Sequence, residues 1–298
     1  MSDVKEYLSA LKLPDPYSHK GQNGKLLIIG GSELFHAASR WSLDIASQFV
    51  DMVFYSSVPG NNQMIAQAKD QFVNGIVVPR ASIDEYIKEA DCVLIGPGME
   101  RGDSKLARLS PEKLAQQLDR ELTDAEWNSD TELITNHLVH KYPDKKWVID
   151  AGALQMVLPQ LIPSGAILTP HRGELDRLVA ALAKTEQLEN ESAYIQELLN
   201  RRITLLVKGH IDYIYSGPEV IEVTGGNAGM TKGGTGDVLA GLVAALYCTQ
   251  TAPVAAVVGS YVNKRAGEKL HETQGPFFNA SELVRVIPEV LWEAIKQP

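Results

Sequence analysis

The sequence predicts an α/β fold with a doubly wound, mostly parallel central sheet flanked by helices. Two observations carry that prediction. Short apolar runs alternate with longer amphipathic stretches, and the short runs are apolar throughout, as strands covered on both faces must be. Small or charged residues also collect at the ends of five runs: Gly30-Gly31-Ser32, Gly96-Pro97-Gly98, Asp150-Ala151-Gly152, Thr169-Pro170-His171 and Lys208-Gly209. Ligands of open α/β sheets bind at that edge.

Taken in order, strands are expected at Lys25–Gly30, Met52–Ser56, Gly75–Val78, Cys92–Ile95, Trp147–Asp150, Ala166–Thr169, Ile203–Val207, Ile211–Tyr215 and Val220–Val223. Helical periodicity falls between most of them, at Ala37–Phe49, Ile83–Ala90, Thr131–Lys141, Gly173–Ala183 and Ser192–Arg201. The two runs around Lys208-Gly209-His210 are so close that they predict a hairpin at one edge. After Val223 comes a glycine-rich loop, then apolar helices at Asp237–Tyr247 and Pro253–His271 and an amphipathic one at Ala280–Ile295. The polar stretches Ser110–Asp130 and Lys184–Glu191 read as surface helices or loops. No composition shift marks an internal boundary, so residues 1–298 are expected to form one domain with residues 1–18 as an N-terminal extension.

Composition narrows the function classes. Hydrophobic residues make up 44% and charged residues 22%, which supports a packed core and excludes a disordered chain. A net charge of −9 argues against binding nucleic acid by bulk charge, though not against a small anion held by local donors. No run approaches the ~20 apolar residues of a membrane helix, and the N-terminus lacks the pattern of a signal peptide. A cytoplasmic protein is therefore expected. Cys92 and Cys248, each in an apolar run, read as buried thiols and not as a disulfide framework or a zinc site.

The strongest local signal is GGNAGMTKGGTGDVLAG, Gly225–Gly241. A Walker A loop would need lysine where Thr235 stands, and the dinucleotide fingerprint would need a third glycine after Gly234-Thr235-Gly236 and an earlier place in the chain. Neither fits. What remains is a run of glycines leading into a helix, which turns backbone N–H groups and a helix N-terminus toward one point. Such a site holds an anion. Asp237 is a carboxylate beside it, either a proton acceptor or a simple helix cap, and the loop alone leaves both open.

Six stretches in order resemble the NAD(P)H-hydrate dehydratase family, a branch of the ribokinase-like superfamily. They are HKGQNGKLLIIGGS (His19–Ser32), IGPGM (Ile95–Met99), VIDAGAL (Val148–Leu154), LTPHRGEL (Leu168–Leu175), LLVKG (Leu205–Gly209) and NAGMTKGGTGDVLAG (Asn227–Gly241). The resemblance implies repair of hydrated NADH or NADPH by dehydration, with ADP or ATP as co-substrate and Mg²⁺ as cofactor. It makes Asp237 the general base. It places Ala38, Gly98, His171 and Asn227, with Asp237, at the hydrated dinucleotide. It assigns Lys208, Gly209, His210, Ile211 and Asp212 to the adenine nucleotide. Lys232, Gly233, Gly234, Thr235 and Gly236 would surround the transferred phosphoryl group, with Lys232 helping to neutralise it. Asp150 and Glu174 are candidates for holding Mg²⁺ through water, each with a structural role as the alternative. A homo-oligomer, plausibly a tetramer, is expected from the family's habit.

The match has departures. Phe35-His36-Ala37-Ala38 replaces a Tyr-x-Gly-Ala pattern, and Gln48-Phe49-Val50-Asp51 replaces a Gly-Ala-Gly turn. Arg172 adds a positive charge to the TPHxGE segment, and Asp212 stands where threonine is frequent. Only about 20 residues precede the first motif, so no fused epimerase domain is expected. Two rivals share the glycine loop: a small-molecule kinase of the same superfamily, and a nucleotide-binding sensor without turnover. Thr169–Glu174 with the early HKG segment separates the dehydratase from the first, and retention of Asp237 argues against the second.

Overall fold

Nine strands form one sheet: β1 (Lys25–Ile29), β2 (Met52–Ser56), β3 (Gly75–Val77), β4 (Cys92–Ile95), β5 (Lys146–Ile149), β6 (Ile167–Leu168), β7 (Thr204–Val207), β8 (Asp212–Ser216) and β9 (Glu219–Val223). The computed structural model describes residues 4–68, 75–185 and 190–296. The strand order is β3-β2-β1-β4-β5-β6-β7-β8-β9. Every pairing from β3 to β7 is parallel. The last two, β7 with β8 and β8 with β9, are antiparallel, so the expected edge hairpin extends into a three-strand meander.

Alternation along each strand sends successive side chains to opposite layers. Leu26, Ile28, Val53, Tyr55, Cys92, Leu94 and Val148 face the layer built from helices Ala37–Ala46, Thr235–Thr249, Ala252–Gln274 and Ala280–Lys296. Leu27, Ile29, Phe54, Val93, Ile95, Trp147 and Ile149 face helices Ile83–Glu89, Thr131–Lys141, Arg172–Thr185 and Glu191–Asn200. This is why the strands read as unbroken apolar runs: both faces are buried. Cys92 and Cys248 are buried free thiols, as expected.

The chain leaves β1 toward β2 and β3, then returns to place β4 on the other side of β1. The order therefore reverses between β1 and β4, and the loops beyond them, Gly30-Gly31-Ser32 and Gly96-Pro97-Gly98, frame the crevice where open α/β sheets bind ligands. Arg80 holds one of these loops from beneath. Its buried guanidinium donates to the carbonyls of Gly30 at 2.9 Å, Gly31 at 3.2 Å and Trp127 at 2.7 Å.

Differences from expectation lie at element ends and in short elements. The helix expected to run to Phe49 stops at Ala46, where the chain tightens into i→i+3 turns at Gln48 and Phe49. Ser110–Asp130 contains two helices, Pro111–Asp119 and Asp124–Ser129. Helices at Val4–Ser9, Pro59–Gln67 and Ala151–Met156 were not foreseen. Six residues are too few to display a helical period, and Pro-Gly-Asn-Asn reads as a turn although proline suits a helix's first position. Part of the Lys184–Glu191 stretch lies outside the described residues.

Candidate active site

Asp237 lies in the first turn of helix Thr235–Thr249. That helix begins two residues earlier than periodicity suggested. Its cap is Gly234, at φ +97, and no side chain caps it. The helix-cap role for Asp237 is thereby excluded. Gly234 has a structural reason of its own: a Cβ there would lie 2.4 Å from the Trp41 ring, in a backbone conformation L-residues avoid. The first-turn N–H groups, which no helix can satisfy internally, stay available to an anion.

The helix is fixed on both sides. Ser42 of helix Ala37–Ala46 donates to the Asp237 carbonyl at 2.8 Å. On the other side Lys208, just past β7, brings its ammonium to Gly236, where a Cβ would lie 3.5 Å away. A lysine at a strand end is ordinarily solvated. Here the Lys208 side chain is 17% exposed and pairs with Asp150 at 2.8 Å. Asp150, itself buried, also accepts from the Thr169 hydroxyl at 2.8 Å. The Lys208 amide donates to the Pro170 carbonyl, and His171 bridges to Lys208, so the ends of β6 and β7 stay joined beside the site.

These charges set each other's protonation. Burial raises the Asp237 pKa, the Asp150 carboxylate raises it further, and Lys208 pulls the other way, leaving it at about 7. Burial alone would lower the Lys208 pKa, but Asp150, Glu174 and Asp237 outweigh that and hold the ammonium above its ordinary value. A carboxylate that exchanges its proton near neutrality, beside a fixed cation and a helix N-terminus, is suited to accept a proton while an anionic group is transferred.

A cavity of about 660 Å³ opens from Lys208, Thr235 and Gly236 toward Met230, Leu239 and Asn263. Gly209, His210 and Asp212 line it too; Ile211, Lys232, Gly233 and Gly234 do not. The Lys232 ammonium turns away, onto the carbonyls of Pro276 and Phe278, and covers the Phe278 ring, so its expected place among phosphates is corrected. Thr235 contributes backbone, since its hydroxyl donates to the carbonyls of Met230 and Lys232. Asn227 lies on this cavity and not at the β1–β4 crevice. Both ends of its amide are used, accepting from Gly229 at 2.8 Å and donating to Gly267 at 2.7 Å, so it shapes the loop.

Ala38 and Gly98 meet at the crevice. A Cβ on Gly98, at φ +72, would lie 3.1 Å from the Ala38 Cβ and 3.0 Å from the Phe35 carbonyl, so close loop packing already requires this glycine. His171 is exposed, 3.6 Å from Glu174. Arg172 is neutralised by Asp176 and Glu191 and adds no free charge.

Asp150 and Glu174, the candidates for holding Mg²⁺ through water, are both engaged within the protein. Glu174 spends its two oxygens on Gln155 at 3.1 Å and the His171 amide at 2.9 Å, and one oxygen of Asp150 takes both Thr169 and Lys208. No group of three His, Cys, Asp or Glu among the described residues is placed to hold a metal ion. The Glu174 carboxylate orients the His171 turn.

Sequence reasoning missed Lys264. Its buried ammonium pairs with Asp212 at 3.2 Å and donates to the carbonyls of Gly209 and His210, each at 3.0 Å. Asp212 also accepts from the Gly209 amide at 2.8 Å and Ser260 at 2.7 Å. The acid that departs from the family pattern is thus a neutralised brace for the turn after β7. The available signal was Ser260 and Lys264, four apart on the apolar stripe of Val257.

The family model for NAD(P)H-hydrate dehydratase matches residues 26–289. The chain belongs to the NAD(P)H-hydrate dehydratase family. It is 30% identical over 285 residues to the ADP-dependent (S)-NAD(P)H-hydrate dehydratase of Cenarchaeum symbiosum, covering 92% of this chain and 90% of that one. It is 31% identical over 291 residues to the bifunctional NAD(P)H-hydrate repair enzyme of Methanocaldococcus jannaschii, covering 95% of this chain but 51% of that enzyme, about half its length. The crystal structure of the Bacillus subtilis ADP/ATP-dependent NAD(P)H-hydrate dehydratase, co-crystallized with ATP/Mg²⁺, superposes with a TM-score of 0.69 at 21% identity, over 98% of this chain and 97% of that one. A ribokinase-like superfamily protein from Enterococcus faecalis superposes with a TM-score of 0.75 at 20% identity, over 97% and 94%. These likenesses give this NAD(P)H-hydrate dehydratase family member a ribokinase-like fold.

Proposed function

We propose that the protein dehydrates hydrated NADH or NADPH, the S form, back to the intact cofactor at the expense of ADP or ATP. The observation that carries this is Asp237, a carboxylate with a pKa raised to about 7, set in the first turn of a helix beside the Lys208–Asp150 pair. Hydroxide is a poor leaving group and phosphate a good one, so the reaction needs a phosphoryl transfer first. Asp237 takes the proton of the ring hydroxyl as its oxygen attacks the terminal phosphorus of the nucleotide. The phosphoanhydride bond breaks and AMP leaves when ADP is the donor. The ring nitrogen's electron pair then expels phosphate, and loss of the neighbouring ring proton completes the double bond.

Lys208 and the first-turn N–H groups meet the phosphoryl oxygens, supplying the charge stabilisation that dominates such transfers. The cavity toward Asn263 takes the adenine nucleotide. The β1–β4 crevice, with Ala38, Gly98 and His171, takes the hydrated dinucleotide. Magnesium would accompany the nucleotide phosphates as their counter-ion.

The test is recovery of the reduced-nicotinamide absorbance band when hydrated NADH, Mg²⁺ and either nucleotide are mixed with the protein. Asp237→Asn should lower turnover by ~10²–10⁴-fold while leaving nucleotide binding intact. An Asp237→Asn variant of near-normal activity would remove Asp237 as the base.

A further inference from the structure

Two arginines meet on one neutral oxygen. Arg101, in the loop that continues from Gly98, and Arg177, on helix Arg172–Thr185, both donate to Oε1 of Gln155, at 3.2 Å and 2.7 Å. Among the described residues neither guanidinium pairs with a carboxylate, whereas Arg172 on the same helix takes two. Like charges drawn onto a neutral amide repel each other, and an anion between them removes that cost. The three side chains line a cavity of about 540 Å³. Asp103 lines it too but forms an ion pair with neither arginine, so the cavity keeps a net positive charge.

This cavity is joined to the site already described. Helix Ala151–Met156 begins directly after Asp150, the partner of Lys208. It carries Gln155 about 6 Å along its axis from Ala151. The other end of the Gln155 amide donates to Glu174 at 3.1 Å, and Glu174 accepts from the His171 amide at 2.9 Å. The arginine pair is thus built onto the His171 turn and the loop that follows Gly98, both of which border the crevice assigned to the hydrated dinucleotide. A dinucleotide with its reacting ring at Asp237 directs its far end along that crevice.

We propose that Arg101 and Arg177 hold the phosphate monoester on the adenosine ribose of hydrated NADPH and so select it over hydrated NADH. The proposal rests on the reading given under Proposed function and adds which of its two substrates is preferred. A phosphate monoester carries nearly two negative charges and three accepting oxygens, which suits two forked guanidiniums. The pyrophosphate bridge is common to both dinucleotides and gives no preference between them.

The experiment compares hydrated NADPH with hydrated NADH as substrates of the full chain, with Mg²⁺ and each nucleotide in turn. The kcat/KM for hydrated NADPH should be about tenfold or more the higher, the worth of one charge-assisted hydrogen bond. Arg101→Gln and Arg177→Gln, each at an exposed position, should bring the two substrates within about twofold. The loss should be carried by KM for hydrated NADPH, because this phosphate lies far from the reacting ring. Equal kcat/KM in the unsubstituted protein would overturn the proposal, as would variants that weaken both substrates alike, the mark of a pyrophosphate contact or a packing role. Inorganic phosphate that inhibits both substrates alike, with that inhibition lost in Arg101→Gln, would make the pair a site for free phosphate and overturn it too. Turnover without preference removes only the role of the arginines; absence of turnover with either substrate removes the proposed function as well.

Discussion

Asp237 was legible as a residue of interest, but its environment was not. The sequence shows an acid after a glycine run, a pattern shared by caps and bases alike. The distinction comes from Gly234, which takes the cap position, and from Asp150 and Lys208, which arrive from strands far away in the chain. Lys232 shows the converse. It sits beside the loop in sequence, yet its amine is bound to carbonyls 44 and 46 residues later. With a folded-state pKa of about 7 against the ordinary 3.8, Asp237 is protonated at mildly acid pH and gains its basic form as pH rises. The kcat/KM profile should therefore climb through an apparent pKa near 7 on its acid side. Asp150→Asn removes the negative neighbour that raises this value, so the limb should move to lower pH. A profile unchanged by that substitution would mean another group carries the limb.

At the scale of elements, the central strands were readable because two covering layers make each one apolar on both faces, while the edge strand β9 alternates exposed and buried residues. Their ends, and the six-residue helix Ala151–Met156, were not, because termini are decided by local turns and caps. Lys264 was hidden for a different reason: its partner Asp212 lies on another element, and no spacing rule joins a helix to a distant strand. Lys264→Met leaves the Asp212 carboxylate buried without its cation, so it should destabilise the fold by about 3–5 kcal/mol. It should also raise the nucleotide KM, since the turn at Gly209 and His210 loses its brace. Adding Asp212→Asn removes the stranded charge and should restore more than half of the lost stability, read by denaturant unfolding. Simple additivity of the two substitutions would show that the pair is not coupled.

Across the whole molecule, the site draws on both ends of the chain. Helix Thr235–Thr249 packs on helix Ala37–Ala46 and on β1, β4 and β5, so the late glycine loop is held by the first strands. We infer one cooperative unit, and calorimetry should record a single unfolding transition; two separated transitions would place a domain boundary inside the chain. The net charge of −9 belongs to the surface, while Lys208 and a helix terminus make the cavity end locally welcoming to phosphate. In the proposed reaction, phosphoryl transfer at Asp237 and the dehydration that follows it are coupled one to one. Its most direct test is stoichiometry, with hydrated NADH and ADP in one vessel. One AMP and one phosphate should appear for each NADH regenerated, and all three should fall together by ~10²–10⁴-fold with Asp237→Asn. Phosphate release without NADH recovery, or recovery without nucleotide consumption, would contradict it.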